Sequence, residues 1–161
     1  MRSRRVAPPA ARRPLRTNLA DMSSKEYHRY LRAVPLFADV DDHDLDVIGA
    51  AVTELAFGEG EVLMRAGSNA REMVIVLDGE LSVMLGDTEI ATIEAGGFAG
   101  EMGLLAHRPR NATVVAKSPT RVLHIESRSF ENVLDEAPQI AVKMLPIVAK
   151  RVVDNNDRHT D

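Results

Sequence analysis

The chain has 161 residues, enough for one domain whose core can fold without disulfides or a structural metal. It contains no cysteine, so disulfides, thiolate metal sites and cysteine nucleophiles are excluded, and this composition fits a reducing compartment. No apolar run approaches the roughly 18 residues that are needed to cross a bilayer. We therefore expect a cytoplasmic protein that does not enter a membrane.

The net charge of −4 is unevenly distributed along the chain. Residues 1–20 hold six arginines and no acidic residue, so they carry +6 and leave −10 for the other 141 residues. DNA-binding proteins gain most of their affinity by neutralising phosphates. Residues 21–161 are too acidic for this, so they are poorly suited to binding duplex DNA. The composition therefore argues against a nucleic-acid-binding domain.

The first 21 residues are predicted to form a disordered basic tail, because they contain three prolines and few residues that could be buried. Their twin arginines are a feature of export signals, but the apolar stretch of such a signal is missing. Three interpretations of the tail stay open. It is a solvated segment, an upstream extension of a chain that starts at Met22, or an arginine arm of a DNA-associated regulator.

Two helices are predicted before the central part of the chain. Ser23 and Glu26 have the spacing of a capping box, and apolar residues then recur at helical intervals until Pro35 ends the helix. The second helix is predicted in DVDDHDLDVIGAAV, whose acidic first turn is favoured by the helix dipole. Its apolar face is predicted to carry Leu45, Ile48 and Val52.

The central part of the chain is rich in glycine and in β-branched residues. The predicted strands are TELAF, EVLMR, MVIVL, LSVML and EIATI, followed later by NATVVA and RVLHI. Short strands at regular spacing with glycine turns predict a compact antiparallel sandwich or barrel. In LSVML, alternation predicts a buried face formed by Leu81, Val83 and Leu85, and Gly86-Asp87 is predicted to form a hairpin turn.

Helical patterning returns near the end of the chain. SRSFENVLDEA is predicted to be a helix capped by Ser127 or Ser129, and QIAVKMLPIVAKRVV is predicted to be another that starts at Pro138 and is kinked at Pro146. The predicted fold class is α+β, mainly β, with an antiparallel β-barrel flanked by N- and C-terminal helices. Residues 22–155 are predicted to form the domain, and residues 156–161 a disordered tail.

The segment GGFAGEMGLLAHRPRNATVVA, residues 96–116, combines glycines, one acid and one arginine between two strands. Its glycines let backbone approach a ligand closely, and a helical turn in EMGLLAH would present free N–H groups to an anion. The planar fork of Arg110 matches two phosphate oxygens. The Glu101 carboxylate would repel a phosphate, so we expect it to accept a hydrogen bond from a sugar hydroxyl. Phosphate and hydroxyl together indicate a nucleotide.

The ordered residues of this segment resemble the phosphate-binding cassette of the cyclic nucleotide-binding domain family. The matching positions are Gly96, Phe98, Gly100, Glu101, Gly103, Leu104, Leu105, Pro109, Arg110, Ala112, Thr113 and Val114. The resemblance continues upstream through Leu36-Phe37, FGEGEVLMRAGSNA and IVLDGELSV, and downstream through the closing helices, over roughly residues 30–153. It implies a jelly-roll (double-stranded β-helix) barrel that binds a 3′,5′-cyclic nucleotide.

The family's roles transfer to matching positions of this chain. The resemblance implies that Arg110 binds the cyclic phosphate, Glu101 binds the ribose 2′-hydroxyl, and backbone N–H groups near Gly103, Leu104 and Ala112 cradle the phosphate. The implied ligand-binding set is Gly100, Glu101, Met102, Gly103, Leu104, Arg110, Asn111 and Ala112, with Val83 and Leu85 against the base. The family commonly has alanine, serine or threonine at the position of Asn111, and a hydroxyl there favours guanine. The amide of Asn111 could bond to the phosphate or the base, or point to solvent. We rank cAMP ahead of cGMP.

The predicted function is that of a non-enzymatic cyclic nucleotide sensor whose C-terminal helices, from Ser127 to Val153, reorient to regulate a partner. The five histidines lack metal-binding spacing and no catalytic triad is evident, so neither a metal nor another cofactor is expected. The partner is a separate effector protein or an output domain of a longer chain, and a homodimer is left open. A ligand-free interaction module on the same fold is the alternative.

Overall fold

The computed structural model of the protein describes residues 13–14 and 22–159, with side chains from residue 22 to residue 156. These residues form two compact units. One contains the strands, in residues 13–14 and 53–124, and the other contains most of the helices, in residues 22–52 and 125–159. None of the helices in these ranges has the length and apolar character that a membrane span requires.

Apart from the two-residue strand β1 and the short helix α3, the elements follow one another in the order helices, strands, helices. In chain order they are β1 (Arg13–Pro14), α1 (Ser24–Arg32), a 3-10 helix (Pro35–Phe37), α2 (Asp42–Ala51), β2 (Val52–Phe57), β3 (Val62–Met64), β4 (Glu72–Asp78), β5 (Glu80–Leu85), β6 (Thr88–Glu94), β7 (Phe98–Ala99), α3 (Glu101–Ala106), β8 (Thr113–Ala116), β9 (Thr120–Glu126), α4 (Ser127–Glu136) and α5 (Pro138–His159). Apart from β1, the tail predicted for residues 1–21 lies outside the described residues.

The two N-terminal helices form where the sequence predicts them. The Ser23 side chain accepts a hydrogen bond from the backbone N–H of Glu26, and the Glu26 carboxylate accepts one from the N–H of Ser23, which confirms the capping box. The Asp41 carboxylate caps α2 through the N–H of Asp44. Leu45 and Ile48 are buried on the inner face of α2, whereas Val52 already begins β2.

The C-terminal helices differ from the prediction in their caps and length. The N-cap of α4 is Glu126, which makes no side-chain capping bond, so the prediction of Ser127 or Ser129 as the cap is wrong. These serines lie within the first turn because the helix begins directly where β9 ends. Pro138 begins α5 as predicted, and the helix continues through Pro146 to His159, past the boundary predicted for a disordered C-terminal tail. Residues 160–161 lie outside the described residues.

The strands form two sheets. One has the order β1-β2-β9-β4-β7 and the other the order β3-β8-β5-β6. The pairs β4–β7, β3–β8, β5–β8 and β5–β6 are antiparallel. All seven strands predicted in the central part of the chain are present, and the two-residue strands β1 and β7 were not predicted. The predicted class, antiparallel sheets with helices before and after them, is confirmed.

The alternation predicted for β5 is only partly correct. Leu81 is 0% exposed and Val83 packs against the core, but Leu85 is 40% exposed and the polar Ser82 is buried. The pairing of β5 with β6 shifts by one residue of β6 between Val83 and Met84, whereas Leu85 is the last residue of β5, next to the hairpin loop. Ser82 is tolerated inside because its hydroxyl donates to the Glu89 carboxylate at 2.7 Å.

The hairpin after β5 is confirmed. Leu85 pairs with Thr88, so Gly86 and Asp87 form a two-residue loop, and Gly86 has a φ of 59° that glycine adopts without a steric penalty.

Candidate anion-binding site

The segment between β7 and β8 bends at Gly100, the N-cap of α3. Gly100 has a φ of 94°, in the left-handed region that favours glycine. A Cβ atom there would lie 2.6 Å from Cε of Met64, 2.8 Å from Nη1 of Arg110 and 2.9 Å from the carbonyl oxygen of Glu72. Both the backbone conformation and the crowding therefore require a glycine at this position.

Arg110 is a buried arginine, with 7% of its surface exposed. Its Nη1 donates a hydrogen bond to the Gly100 carbonyl oxygen at 2.6 Å, and its Nη2 donates to the Glu72 carbonyl oxygen. The Glu72 carboxylate oxygen Oε1 lies 4.0 Å from Nη2. The two carbonyl groups come from the start of β4 and the N-cap of α3, so these elements set the position and the plane of the guanidinium.

Burial and nearby carboxylates act in opposite directions on the positive charge of Arg110. Burial lowers the pKa of Arg110, while the carboxylates of Glu72 and Glu101 act in the opposite direction and raise it. Glu101 is 1% exposed at the first position of α3. A guanidinium remains protonated in proteins, so Arg110 keeps a buried positive charge. The carboxylates offset only part of the cost of removing that charge from water.

The guanidinium of Arg110 contributes to the wall of a pocket of about 350 Å³, here called the arginine pocket. Its lining residues are Val62, Leu63, Met64, Arg65, Ser68, Asn69, Arg71, Glu72 and Arg110. Four of them belong to the loop of residues 65–71 between β3 and β4, and three more belong to β3. Arginine side chains therefore contribute three positive charges to the pocket and Glu72 contributes one negative charge.

Main-chain hydrogen bonds hold this loop against the segment that carries Arg110. The N–H of Gly67 donates to the Arg110 carbonyl oxygen at 2.7 Å, and the N–H of Arg110 donates to the Ser68 carbonyl oxygen at 2.9 Å. The N–H of Ala66 donates to the Thr113 hydroxyl oxygen at 3.1 Å. The loop geometry therefore depends on the same segment that positions the guanidinium.

The structure brings together part of the predicted site. Arg110 lines the pocket, Gly100 bonds to its guanidinium, and Glu101 lies close enough to influence its pKa. Gly103 approaches closely too, since a Cβ atom there would lie 3.4 Å from Nη1 of Arg110 and 2.5 Å from Cβ of Ala70. These three neighbours are not themselves in the pocket lining.

Other predicted positions are not among the lining residues of the pocket. They are Met102 and Leu104 in α3, Asn111 and Ala112 just after the arginine, and Val83 and Leu85 on β5. Conversely, the lining contains Arg65, Arg71 and Glu72, which were not among the predicted site residues. In MRAGSNARE charged residues bracket a glycine turn, and the sequence predicts a strand end and a match to the family there without indicating that these side chains line a pocket.

A separate group of potential metal ligands occurs in the helical unit. One ligand atom each from His43, Asp44 and Glu136 lies within 4.8 Å of the others. The side chains of His43 and Glu136 are exposed, and exposed carboxylates are often neighbours without an ion. Proximity alone therefore does not make this group a metal site.

A protein-family model matches the central part of the chain. The model of the family described as the cyclic nucleotide-binding domain matches residues 54–137, just over half of the chain. The chain belongs to this family. The match includes β2 to β9, with the cassette and Arg110, and α4 as well. The recognition made from the cassette residues is thereby confirmed.

Cyclic nucleotide-binding domains of similar sequence occur within longer proteins. The chain is 26% identical over 108 residues to a cAMP-dependent protein kinase regulatory subunit from Hypocrea atroviridis, covering 67% of this chain and 23% of that protein. A second such subunit, from Schizosaccharomyces pombe, is 27% identical over 112 residues, or 69% of this chain and 27% of that one. The chain thus spans about a quarter of the length of the curated relatives it matches.

Solved structures share the fold of this cyclic nucleotide-binding domain. A cAMP-bound structure of PfPKA-R has a TM-score of 0.72 and 23% identity, covering 86% of this chain and 48% of its own. The regulatory subunit of a cAMP-independent protein kinase A from Trypanosoma cruzi, bound to guanosine, has a TM-score of 0.69 and 22% identity, covering 83% of this chain and 50% of its own. At such identities these likenesses concern the fold alone.

Proposed function

We propose that the domain binds a 3′,5′-cyclic nucleotide with Arg110 as the phosphate ligand. The observation that carries this proposal is the buried guanidinium of Arg110 in the wall of a pocket of about 350 Å³. A buried charge is costly unless it meets an opposite charge, and Arg110 has two carbonyl partners and a carboxylate oxygen 4.0 Å away. A cyclic phosphate would supply a negative charge and two oxygens for the guanidinium fork.

The remaining contacts to the nucleotide are proposed from the cassette. Glu101, buried beside Arg110, accepts a hydrogen bond from the ribose 2′-hydroxyl. The N–H groups near Gly103, Leu104 and Ala112 surround the phosphate, with Gly100 and Met102 in the same segment. Val83 is placed near the base. Leu85 is a weaker candidate than the sequence suggested, because it is exposed.

We propose cAMP ahead of cGMP as the ligand. Asn111 provides no hydroxyl after the cassette arginine, and two relatives are named as regulatory subunits of cAMP-dependent kinases. The fold does not set the base, since a neighbour of similar TM-score was solved with guanosine and another with cAMP. Substituting Asn111 by serine should therefore improve cGMP binding relative to cAMP, as measured by titration calorimetry.

The proposed output is a change in the packing of α4 and α5. A ligand shifts a protein between two states only by its different affinity for them, so these helices must differ between the two states. The helix α5 carries a set of exposed apolar residues that are available for repacking, namely Val142, Leu145, Ile147, Val152 and Val153. Hydrogen exchange with and without cAMP tests this step, and unchanged protection in residues 127–153 would argue against it.

The domain is proposed to act without catalysis, on a separate effector or on another part of a longer chain. The named relatives are regulatory subunits of protein kinases, so a kinase is a reasonable effector to test first. The rival hypothesis is a ligand-free docking module, for which the exposed apolar residues of α5 would be the contact surface. If the domain is such a docking module, Arg110 variants should still bind the partner protein.

Calorimetric titration with cAMP and cGMP tests the proposal. Wild type should bind at least one of them. Arg110→Ala should weaken binding about 10- to 100-fold, the equivalent of one charge-assisted contact. Arg110→Lys should also bind poorly, because an ammonium group lacks the bidentate fork. Arg128→Ala, at an exposed position of α4, is the control. Failure of wild type to bind either nucleotide, or normal binding by folded Arg110→Lys, would contradict the proposal.

A further inference from the structure

Glu72 contacts Arg110 through its main chain and through its side chain. The main-chain carbonyl oxygen accepts a hydrogen bond from Nη2 of Arg110, and the carboxylate oxygen Oε1 lies 4.0 Å from the same nitrogen. The carbonyl group belongs to the backbone of β4, so it holds the guanidinium whichever side chain the residue carries. The carboxylate is not needed for that bond, and its charge in the wall of the arginine pocket can therefore act on a ligand instead.

The positive charge of Arg110 lies close to two negative charges. Glu72 and Glu101 both act on the guanidinium in the direction that raises its pKa. Glu101 is 1% exposed and the side chain of Glu72 is 16% exposed, so water screens these two carboxylates poorly. Arg65 and Arg71 also line the pocket, but both are exposed, and solvent screens their charges. The poorly screened part of the site thus contains one cation and two anions.

The charge of a ligand phosphate depends on whether its ring is closed. A cyclic phosphodiester carries one negative charge, whereas a phosphate monoester carries about 1.5 to 2 at neutral pH because its second pKa is about 6. The fork of Arg110 can bind the first negative charge. A second negative charge has no further buried cation to pair with and lies near two carboxylates, which repel it.

We infer that the Glu72 carboxylate is a specificity determinant, which makes the pocket favour a cyclic phosphodiester over the monoester of a linear nucleotide. This inference rests on the proposed function, since it uses the same pocket and the same Arg110. Water opens a cyclic phosphate by adding across one P–O bond, and the product is a monoester. Repulsion by Glu72 therefore lets the domain distinguish its ligand from the product of that hydrolysis.

A purely structural role for the carboxylate predicts a different result. If the side chain only helps to hold Arg110 in place, its removal changes the affinity for every phosphate by the same factor. If its charge repels the ligand, its removal strengthens the binding of every phosphate, and the gain in binding free energy scales with the charge of the ligand. A gain of about tenfold for cAMP then corresponds to about 30- to 100-fold for a monoester, because the repulsion counts about 1.5 to 2 times.

The experiment compares the full chain with its variants Glu72→Gln and Glu72→Asp. Each protein is titrated with cAMP, adenosine 3′-monophosphate and adenosine 5′-monophosphate at constant ionic strength, and weak ligands are measured by displacement of cAMP. Wild type should bind cAMP about 100-fold or more tightly than either monoester. Glu72→Gln keeps the carbonyl group and loses the charge, so the preference for cAMP should fall about three- to tenfold. Glu72→Asp keeps the charge and should keep most of the preference.

Glu59→Gln is the matched control. It removes an exposed carboxylate of the same unit that is not among the lining residues of the pocket, and it should change none of the three affinities.

The outcomes separate this inference from the proposed function. Equal changes for all three ligands in Glu72→Gln, or weaker binding of all three, would overturn the inference and leave cyclic nucleotide binding intact. Wild type that binds a monoester as tightly as cAMP would also overturn the inference alone. Equal loss of the preference in Glu72→Asp and Glu72→Gln would assign it to the shape of the side chain, against the role of charge. Failure of wild type to bind any cyclic nucleotide would refute the proposed function and the inference together.

Discussion

The guanidinium of Arg110 donates a hydrogen bond to the carbonyl oxygen of Gly100, 2.6 Å away and ten positions earlier in the chain. This bond joins the two ends of the segment that contains α3, because Gly100 is the N-cap of α3 and Arg110 follows the helix. The same glycine has no room for a side chain because Arg110 and the Glu72 carbonyl oxygen fill the space. The position of the charge in the pocket is therefore coupled to the backbone conformation of a single glycine.

Gly100→Ala should destabilise the protein and weaken ligand binding. The substitution places a Cβ in a left-handed conformation, which costs about 1–2 kcal/mol, and drives it against the Arg110 guanidinium and the Glu72 carbonyl oxygen. We expect a loss of more than about 2 kcal/mol in the free energy of unfolding, measured by urea denaturation, and a loss of nucleotide binding.

Gly60→Ala is the matched control for that prediction. Gly60 has a similar φ of 85°, but a Cβ there would meet nothing within 4 Å. Gly60→Ala should lower the free energy of unfolding only by the cost of the backbone conformation, about 1–2 kcal/mol. Its ligand binding should be unchanged. Equal effects of the two substitutions would mean that the crowding around Arg110 is unimportant.

Leu81→Ala and Leu85→Ala should differ greatly although both residues lie on β5. Leu81 is 0% exposed within the core, and truncation of such a leucine costs about 2–5 kcal/mol. Leu85 is 40% exposed, so its truncation should cost less than about 1 kcal/mol. Thermal or urea unfolding of both variants checks the difference. Similar losses would show that Leu85 is buried after all, as simple alternation predicts.

Gly49→Ala should be destabilising, even though alanine favours a helix interior by about 1 kcal/mol over glycine. A Cβ at this position of α2 would lie 2.1 Å from Cε1 of Tyr27, so the ring has to move. Movement of the ring would also break the hydrogen bond of 2.9 Å that the Tyr27 hydroxyl donates to the Gly49 carbonyl oxygen.

In the Tyr27→Ala background, the effect of Gly49→Ala on the free energy of unfolding should have the opposite sign. Without the ring, Gly49→Ala should stabilise the protein by about 1 kcal/mol through helix propensity alone. A double-mutant cycle followed by urea unfolding measures the coupling. Gly49→Ala would have to destabilise equally in both backgrounds for the proposed contact to be wrong.

Stability above pH 10 should depend on Tyr27. The pKa of Tyr27 is raised, mainly because the ring is partly buried and also because Asp46 is close. The folded state thus holds the phenol proton more tightly than the unfolded state. This contribution is complete below the unfolded pKa of about 10 and is lost as the pH rises through the folded pKa.

The comparison with Tyr27→Phe isolates this effect from other groups that titrate at high pH. Below about pH 9.5 wild type should be more stable than Tyr27→Phe by about 1 kcal/mol, the worth of the hydrogen bond to Gly49. Above about pH 10 the difference should shrink. Urea unfolding at a series of pH values measures it, and a difference that stays constant would contradict the shifted pKa.

Much of the fold could be predicted from sequence because its signals are local. The capping box at Ser23 and Glu26 acts over three residues, and Pro138 favours a helix start through its own ring. The hairpin at Gly86 requires only a positive φ between two strands. The cassette is local as well, so its order of glycines, acid and arginine indicated the family.

The misplaced cap of α4 and the exposure of Leu85 have a different origin. Ser127 and Ser129 are good capping residues by type, but the helix begins as soon as β9 ends, which leaves the cap to Glu126. Leu85 is 40% exposed at the last position of β5, where the strand gives way to the hairpin loop. Both outcomes depend on where a strand ends or how it pairs, which a local pattern does not encode.

Sequence alone determined most of the elements and the family, because these depend on patterns within short stretches of the chain. Only the tertiary structure decided the composition of the pocket. Arg65 and Arg71 join Arg110 in one wall because the loop after β3 bonds to the segment before β8, across about 40 residues of chain. Long-range hydrogen bonds bring these arginines to the same pocket, and no short pattern of residues predicts such contacts.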